Sequence, residues 1–130
     1  MKYPNPAQVW QRVHPADPGE QQTLQTLLIR LNQDQNFLQR KHPECPLIQQ
    51  YRQQSHCLKG ILTLTGGHLP KSTAALPAEH SLGRCYEHAL QRLSACQLRS
   101  ADPVYGPVFR NLAQETERHC RLIVELLGSQ

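Results

Sequence analysis

Residues 20–41 read EQQTLQTLLIRLNQDQNFLQRK, and this stretch decides the class of fold. It contains neither proline nor glycine, and its leucines recur at the three- and four-residue spacing of one helix face. Those leucines are Leu24, Leu27, Leu28, Leu31 and Leu38. Glutamine, a good helix former, fills many of the other positions. The pattern predicts a first helix over 20–41, which ends before His42-Pro43 because the residue before a proline disfavours helical backbone.

A second helix is predicted over 46–65. Pro46 suits the first turn of a helix, and Gly66-Gly67 provides a clear stop. Between them, one face carries the apolar and small residues Leu47, Ile48, Tyr51, Ser55, Leu58 and Leu62.

The second half of the chain repeats this arrangement, with helices predicted over 81–100 and 103–127. The third helix has a stripe made of Leu82, Tyr86, Ala89, Leu93 and Cys96. Asp102-Pro103 opens the fourth helix, with Asp102 as a possible N-cap, and Gly128 closes it. No long stretch alternates with a period of two, so the sequence predicts an all-α four-helix bundle.

The longest predicted connection, over 66–80, contains Gly66, Gly67, Pro70 and Pro77. Neighbouring antiparallel helices usually need only about 2–8 connecting residues. The segment is therefore expected to be a crossover that runs the height of the bundle. Residues 1–19 hold four prolines and are predicted to form an extended arm, anchored by Trp10, ahead of a bundle over 20–130.

The composition of the 130 residues narrows the possible cellular location and the possible classes of partner. No apolar run is long enough to cross a bilayer, and the N-terminus lacks the apolar stretch of a secretory signal, so the cytoplasm is the expected location. The net charge of +4 is mild and the arginines are spread singly, which makes nucleic-acid binding unlikely. The five cysteines include no Cys-x-x-Cys pair and are expected to be reduced core residues.

The most specific pattern lies in the fourth predicted helix, which reads VFRNLAQETERH over 108–119, with Ile123 and Leu126 following. It resembles the fourth helix of ferritin-like, rubrerythrin-related proteins. That helix typically reads Leu-Ala-x-Glu-Glu-x-x-His, with apolar residues four and seven positions later. The turn at 101–103 also resembles the family's. The resemblance covers about residues 20–128 and implies a ferritin-like bundle with its long crossover between helices 2 and 3.

A di-iron site of that family needs a Glu from each of two helices and a Glu-x-x-His from each of the other two. In the fourth helix, His119 is preceded three positions earlier by Thr116, while Glu115 stands four positions earlier. In the second helix, Tyr51 and Gln54 take the places of Glu and His. Neither helix supplies the expected motif.

The first and third helices are expected to supply no carboxylate either. Leu31 and Ala89 fall at the family's Glu positions, and Asp34 and Glu87 are expected to lie off the apolar stripes. His56 lies about 140° from the stripe of the second helix and is expected to point outward. The resemblance therefore implies a bundle with a degenerate di-iron motif, and no cofactor is expected.

His119 and Glu115, at spacing i, i+4, form the best polar pair. Under an alternative interpretation they would bind iron, manganese or zinc in an atypical site, together with Gln54 and Tyr86. Under the leading interpretation His119 is a structural residue hydrogen-bonded by Glu115, Tyr86, Gln54 or water. Cys120, His56 and His88 could add zinc ligands, but their spacings match no standard zinc site.

The leading hypothesis is a non-catalytic binding or assembly module, with a homodimer as the expected assembly because two-fold dimers are the commonest. The sequence contains no Gly-x-Ser-x-Gly, no phosphate-binding glycine loop and no dinucleotide motif. Its partner is not specified by any motif. The alternative hypothesis is a metal-binding protein that uses Glu115 and His119.

Overall fold

The computed structural model describes residues 18–70 and 79–129, and in these ranges the chain forms four α-helices and no strand. The helices are α1 (Pro18–Lys41), α2 (Leu47–Leu64), α3 (Leu82–Arg99) and α4 (Gly106–Gly128). The prediction of an all-α fold with four helices is confirmed. Most of the predicted arm, including Trp10, and residues 71–78 of the predicted crossover lie outside the described residues.

The end of α2 is a Schellman motif at the predicted glycine stop. Gly66 has a φ of 81°, in the left-handed region that favours glycine. The Gly66 N–H donates to the Thr63 carbonyl at 3.1 Å, and the Gly67 N–H donates to the Leu62 carbonyl at 2.8 Å. These two bonds satisfy carbonyls that the end of the helix would otherwise leave unpaired.

The fourth helix begins at Gly106, three residues later than predicted. Asp102 does not cap the helix directly, because its Oδ1 atom accepts from the N–H groups of Val104 and Tyr105, both at 2.8 Å. These bonds make a turn ahead of the helix. A Cβ at Gly106 would lie 2.6 Å from the Ser100 carbonyl oxygen, so the turn requires glycine there.

The helices α1 and α3 pack against each other in opposite directions. Near the start of α1, Glu20 pairs with Arg99 at 3.3 Å, near the end of α3. Further along α1, Asp34 contacts His88, which lies in the first half of α3. Later residues of α1 therefore contact earlier residues of α3, which makes the two helices antiparallel.

The helices α2 and α4 are also antiparallel neighbours. Tyr51 contacts His119 through their rings, and Gln54, one turn later, contacts Thr116, one turn earlier. The hairpins α1–α2 and α3–α4 complete the contacts around the bundle. In the described part of the chain, no helix combines the length and the apolar character that crossing a bilayer requires.

The apolar core is built mainly of leucine, as the composition predicts. Its largest fully buried apolar side chains are Tyr51, Phe109, Leu28, Leu31, Leu38, Leu47, Leu58, Leu62 and Ile123. Several polar side chains are buried in the same interior, among them Asp34, Gln54, Arg92, Thr116 and His119. His56 is exposed, as the angular argument predicts.

Two expectations about the stripes are wrong. Asp34 has no exposed surface, because it stands three residues after Leu31 and four before Leu38 and so continues the buried face of α1. In α3, the buried face includes Cys85 and Arg92, and Tyr86 is only half-buried at its edge.

Candidate functional site

Five polar side chains meet in the middle of the bundle and are here named the interior cluster. They are Tyr51 and Gln54 from α2, Arg92 from α3, and Thr116 and His119 from α4. Each of them is at most 1% exposed. Because buried polar groups need partners, the contacts among these five decide what the cluster can do.

Gln54 connects three helices through its side-chain amide. Its Nε2 atom donates to Thr116 Oγ1 at 3.0 Å, and it also lies 3.5 Å from Glu115 Oε2. Its Oε1 atom accepts from Arg92 Nε at 2.9 Å. The Thr116 hydroxyl in turn donates a hydrogen bond to the Leu112 carbonyl oxygen at 2.6 Å, within α4.

Arg92 brings a positive charge into the core without a matching negative charge. Its guanidinium carbon lies 5.0 Å from the centre of the Tyr51 ring. No carboxylate among the described residues forms an ion pair with Arg92, and its Nη2 atom has no hydrogen-bond partner there. Arginine stays protonated even when buried, so the interior cluster is cationic.

His119 is a neutral imidazole in this environment. Burial, assisted by the positive charges of Arg92 and Arg118, lowers the pKa of His119 to about 3. Its ring meets the Tyr51 ring edge-on, with 5.2 Å between the centres. Its Nδ1 atom has no hydrogen-bond partner in the described part of the chain.

The structure brings together three of the four residues predicted for a metal site. Gln54 contacts Glu115, and His119 lies in the same cluster, one turn along α4 from Glu115. Tyr86 is half-buried on α3, and no hydrogen bond or ring contact within the described residues joins it to the other three. Arg92, which the sequence argument passed over, occupies the interior instead.

A second polar group lies between α1 and the start of α3 and is here named the Asp34 cluster. It consists of Asp34, His80 and His88, whose side chains are 0%, 3% and 14% exposed. His80 Nε2 and His88 Nδ1 each lie 2.8 Å from the same carboxylate atom, Asp34 Oδ1. The second carboxylate atom, Oδ2, is buried and has no hydrogen-bond partner among the described residues.

Local packing holds His80 in place. Phe37 stacks on its ring with 4.8 Å between centres and 6° between planes. Ser81 caps α3 by accepting from the Arg84 N–H at 3.2 Å, which fixes the residue that follows His80. The other ring nitrogen of His80, Nδ1, lies 3.2 Å from the Ser81 carbonyl oxygen.

The Asp34 cluster carries the donor types of a transition-metal site. One ligand atom from each of its three residues lies within 4.8 Å of the others. The cysteine one turn before His88 is also close: burial, with the negative charge of Asp34 adding to it, raises the pKa of the Cys85 thiol. A pocket of about 160 Å³, lined by Gln33, Glu79, His80, Arg84 and His88, lies beside the cluster.

Sequence reasoning missed the Asp34 cluster for two different reasons. The position of Asp34 follows from helix periodicity and was available from the leucine spacing. His80 precedes α3, so helix periodicity cannot predict the position of its side chain. Its contact with Asp34 depends on the path of the connection between α2 and α3.

Comparison with models of protein families, with curated proteins and with solved structures finds no match to this chain.

Proposed function

We propose that this chain is a ferritin-like four-helix bundle without a di-iron centre, which acts as a non-catalytic binding or assembly module. The proposal joins the sequence resemblance of the fourth helix to the contents of the bundle interior. It has three supports: the directions of the helices, the charge of the interior cluster, and exposed apolar side chains on the α3–α4 hairpin.

The directions of the helices support a ferritin-like topology with a crossover. Gln21 Nε2 lies 3.4 Å from the Thr65 carbonyl and Ser55 lies 3.5 Å from Asn32, so α1 and α2 are antiparallel. Since α1 is also antiparallel to α3, α2 and α3 run in the same direction. A connection between two parallel helices has to return along the bundle, which is what we propose for the crossover over 66–80.

The single observation that carries the proposal is the position of Arg92. Tyr51 and Gln54 on α2 face Thr116 and His119 on α4, at the spacing where the family has its two Glu-x-x-His motifs. Four carboxylates would offset the charge of two iron ions there. This layer instead holds a guanidinium bonded to a neutral amide.

Electrostatics make that layer a poor place for metal ions. Two unit charges of the same sign about 4 Å apart repel by about 4 kcal/mol at an effective dielectric constant of about 20, and a divalent ion doubles the figure. Glu115 lies 3.5 Å from Gln54 and the charge of Asp34 acts on Tyr51, but neither carboxylate forms an ion pair with Arg92 in the described part of the chain. The same repulsion weighs against the alternative in which Glu115 and His119 bind iron, manganese or zinc.

Exposed apolar side chains on the α3–α4 hairpin support an assembly role. Leu90 and Leu98 on α3 and Val124 and Leu127 on α4 are 43%, 78%, 51% and 37% exposed. As part of the proposal, this hairpin mediates a homodimer in the cytoplasm. Sedimentation equilibrium of the purified chain tests the dimer, and a monomer across the micromolar range would reject it.

Anaerobic titration with Fe²⁺, followed by addition of oxygen, tests the absence of a di-iron centre. We expect no oxygen uptake above that of buffer and no binding of two ions per chain. Two ions bound per chain with catalytic oxidation would overturn the proposal. His119→Ala serves as the matched variant, because metal lost from this variant alone would support the alternative site at Glu115 and His119.

A further inference from the structure

We propose that Asp34, His80 and His88 form a mononuclear binding site for a divalent transition-metal ion, with Zn²⁺ as the ion that fits best. This site goes beyond the proposed function, because none of its three residues stands at a position where the ferritin-like resemblance would place a metal ligand. It does not depend on the family resemblance.

The donor set is two imidazole nitrogens and one carboxylate oxygen. Zinc sites with an open position commonly use three protein ligands of this kind and leave the fourth place to water or a ligand. Imidazole suits zinc and other late divalent metals, whereas magnesium and calcium prefer oxygen alone. The Asp34 cluster therefore selects the transition-metal class.

The orientation of His80 supports a cation between it and Asp34. Both ring nitrogens face oxygen atoms: Nδ1 faces the Ser81 carbonyl at 3.2 Å, and Nε2 faces Asp34 Oδ1 at 2.8 Å. A neutral imidazole has only one N–H. In metal sites that N–H commonly donates to a backbone carbonyl, and the other nitrogen binds the metal. His80 is held in this way.

Asp34 points to the same conclusion from the other side. Its carboxylate is fully buried, both histidines converge on Oδ1, and no N–H or O–H group among the described residues donates to Oδ2. The Cys85 thiol interacts with the same carboxylate but is only a weak donor. A buried carboxylate is costly unless a cation or several hydrogen bonds compensate for its charge. A divalent ion bound by the two imidazoles would supply that charge at the atoms that face each other.

The geometry requires the two imidazoles to shift, because the three ligand atoms, which lie within 4.8 Å of one another, must each come to about the separation of tetrahedral ligands. Tetrahedral zinc with bonds of about 2.0–2.1 Å places neighbouring ligand atoms about 3.3 Å apart. Both nitrogens of the Asp34 cluster lie 2.8 Å from Oδ1, so each contact would open by about half an ångström. Access is available from the adjacent pocket of about 160 Å³, which the rings of His80 and His88 line.

Isothermal titration of chelator-stripped protein with Zn²⁺ tests the site directly. We expect one ion per chain for the wild type, and binding at least about 100-fold weaker for His80→Ala and for His88→Ala. His56→Ala is the matched control, because His56 is exposed on α2 and should leave the affinity unchanged. No binding by the wild type, or equal affinity in all four proteins, would overturn the proposal.

X-ray absorption of the zinc-loaded wild type gives a readout that does not depend on whether a variant folds. The proposal requires a shell of nitrogen and oxygen at about 2.0–2.1 Å with imidazole scattering. A dominant sulfur shell at about 2.3 Å would assign the zinc to cysteines and overturn it. Oxidase turnover in the iron experiment would reject the proposed function and leave this site standing.

Discussion

The interior cluster and the Asp34 cluster are both buried polar groups in one small bundle, and their charges are opposite. The interior cluster holds a guanidinium without a carboxylate partner, whereas the Asp34 cluster holds a carboxylate on which two imidazoles converge. A cation is repelled by the first and attracted by the second. The comparison predicts that the sign of the local charge, more than the presence of histidine, decides where this fold can bind a metal.

The largest expected effect on the free energy of unfolding comes from His119. Its pKa of about 3 in the folded protein lies below the ordinary value of 6.5. A depressed pKa means that the unfolded chain binds the proton first. The stability supplied by neutral His119 is therefore complete above pH 6.5 and is lost as the pH falls from 6.5 toward 3. The loss amounts to several kcal/mol, and at most about 5 kcal/mol.

Urea denaturation at pH 7, 5.5 and 4.5 measures this loss. We expect His119→Phe to flatten the decline in unfolding free energy relative to the wild type. His56→Ala, which changes an exposed histidine, should retain the wild-type decline. An unchanged slope in His119→Phe would show that the imidazole in the interior cluster is not the titrating group.

The second effect concerns Asp34 in the metal-free protein. Asp34→Ala removes the acceptor shared by His80 and His88, and bonds to a charged group contribute about 1.5–3 kcal/mol each. Loss of the buried charge offsets part of this, so we expect a net destabilisation of about 3 kcal/mol. Asp34→Asn keeps an oxygen acceptor and should cost about half as much. Equal costs for both variants in urea melts would contradict the shared-acceptor geometry.

A smaller effect is expected at Thr116 in the interior cluster. Thr116→Val keeps the shape and removes the hydroxyl that accepts from Gln54 and donates to the Leu112 carbonyl. The neutral hydrogen bonds lost predict a destabilisation of about 1–2 kcal/mol. Thermal unfolding with Thr116→Ser as the control checks this, since serine retains the hydroxyl. Greater loss in the serine variant would point to methyl packing.

The smallest effect is expected on the surface. Glu117 and Arg121 form an i, i+4 pair at 2.9 Å, and both side chains are more than half exposed. Glu117→Gln should lower the unfolding free energy by about 0.3–0.5 kcal/mol at low salt. At about 1 M salt the difference should vanish because exposed charges are screened. A cost above that of Thr116→Val would reverse the ranking of buried over exposed contacts.

The helices were predictable because periodicity is a local property. The leucines of 20–41 and the glycines at 66–67 are enough to place α1 and the end of α2. Asp34 was expected to lie off the buried face of α1 because only apolar residues were used to define that face. Its spacing from Leu31 and Leu38 nevertheless places it on the buried face. The meeting of His80 with Asp34 joins residues 46 positions apart, and no local pattern encodes it.

The amide of Gln54 has a consequence for how the helices slide against one another. Leucine faces tolerate a shift by one turn, about 5.4 Å, because one leucine replaces another. The two ends of this amide do not, since its oxygen needs the guanidinium of α3 and its nitrogen needs the hydroxyl of α4. This side chain thus contributes to the register of three helices at once, and Gln54→Leu would leave the Arg92 guanidinium and the Thr116 hydroxyl without these partners.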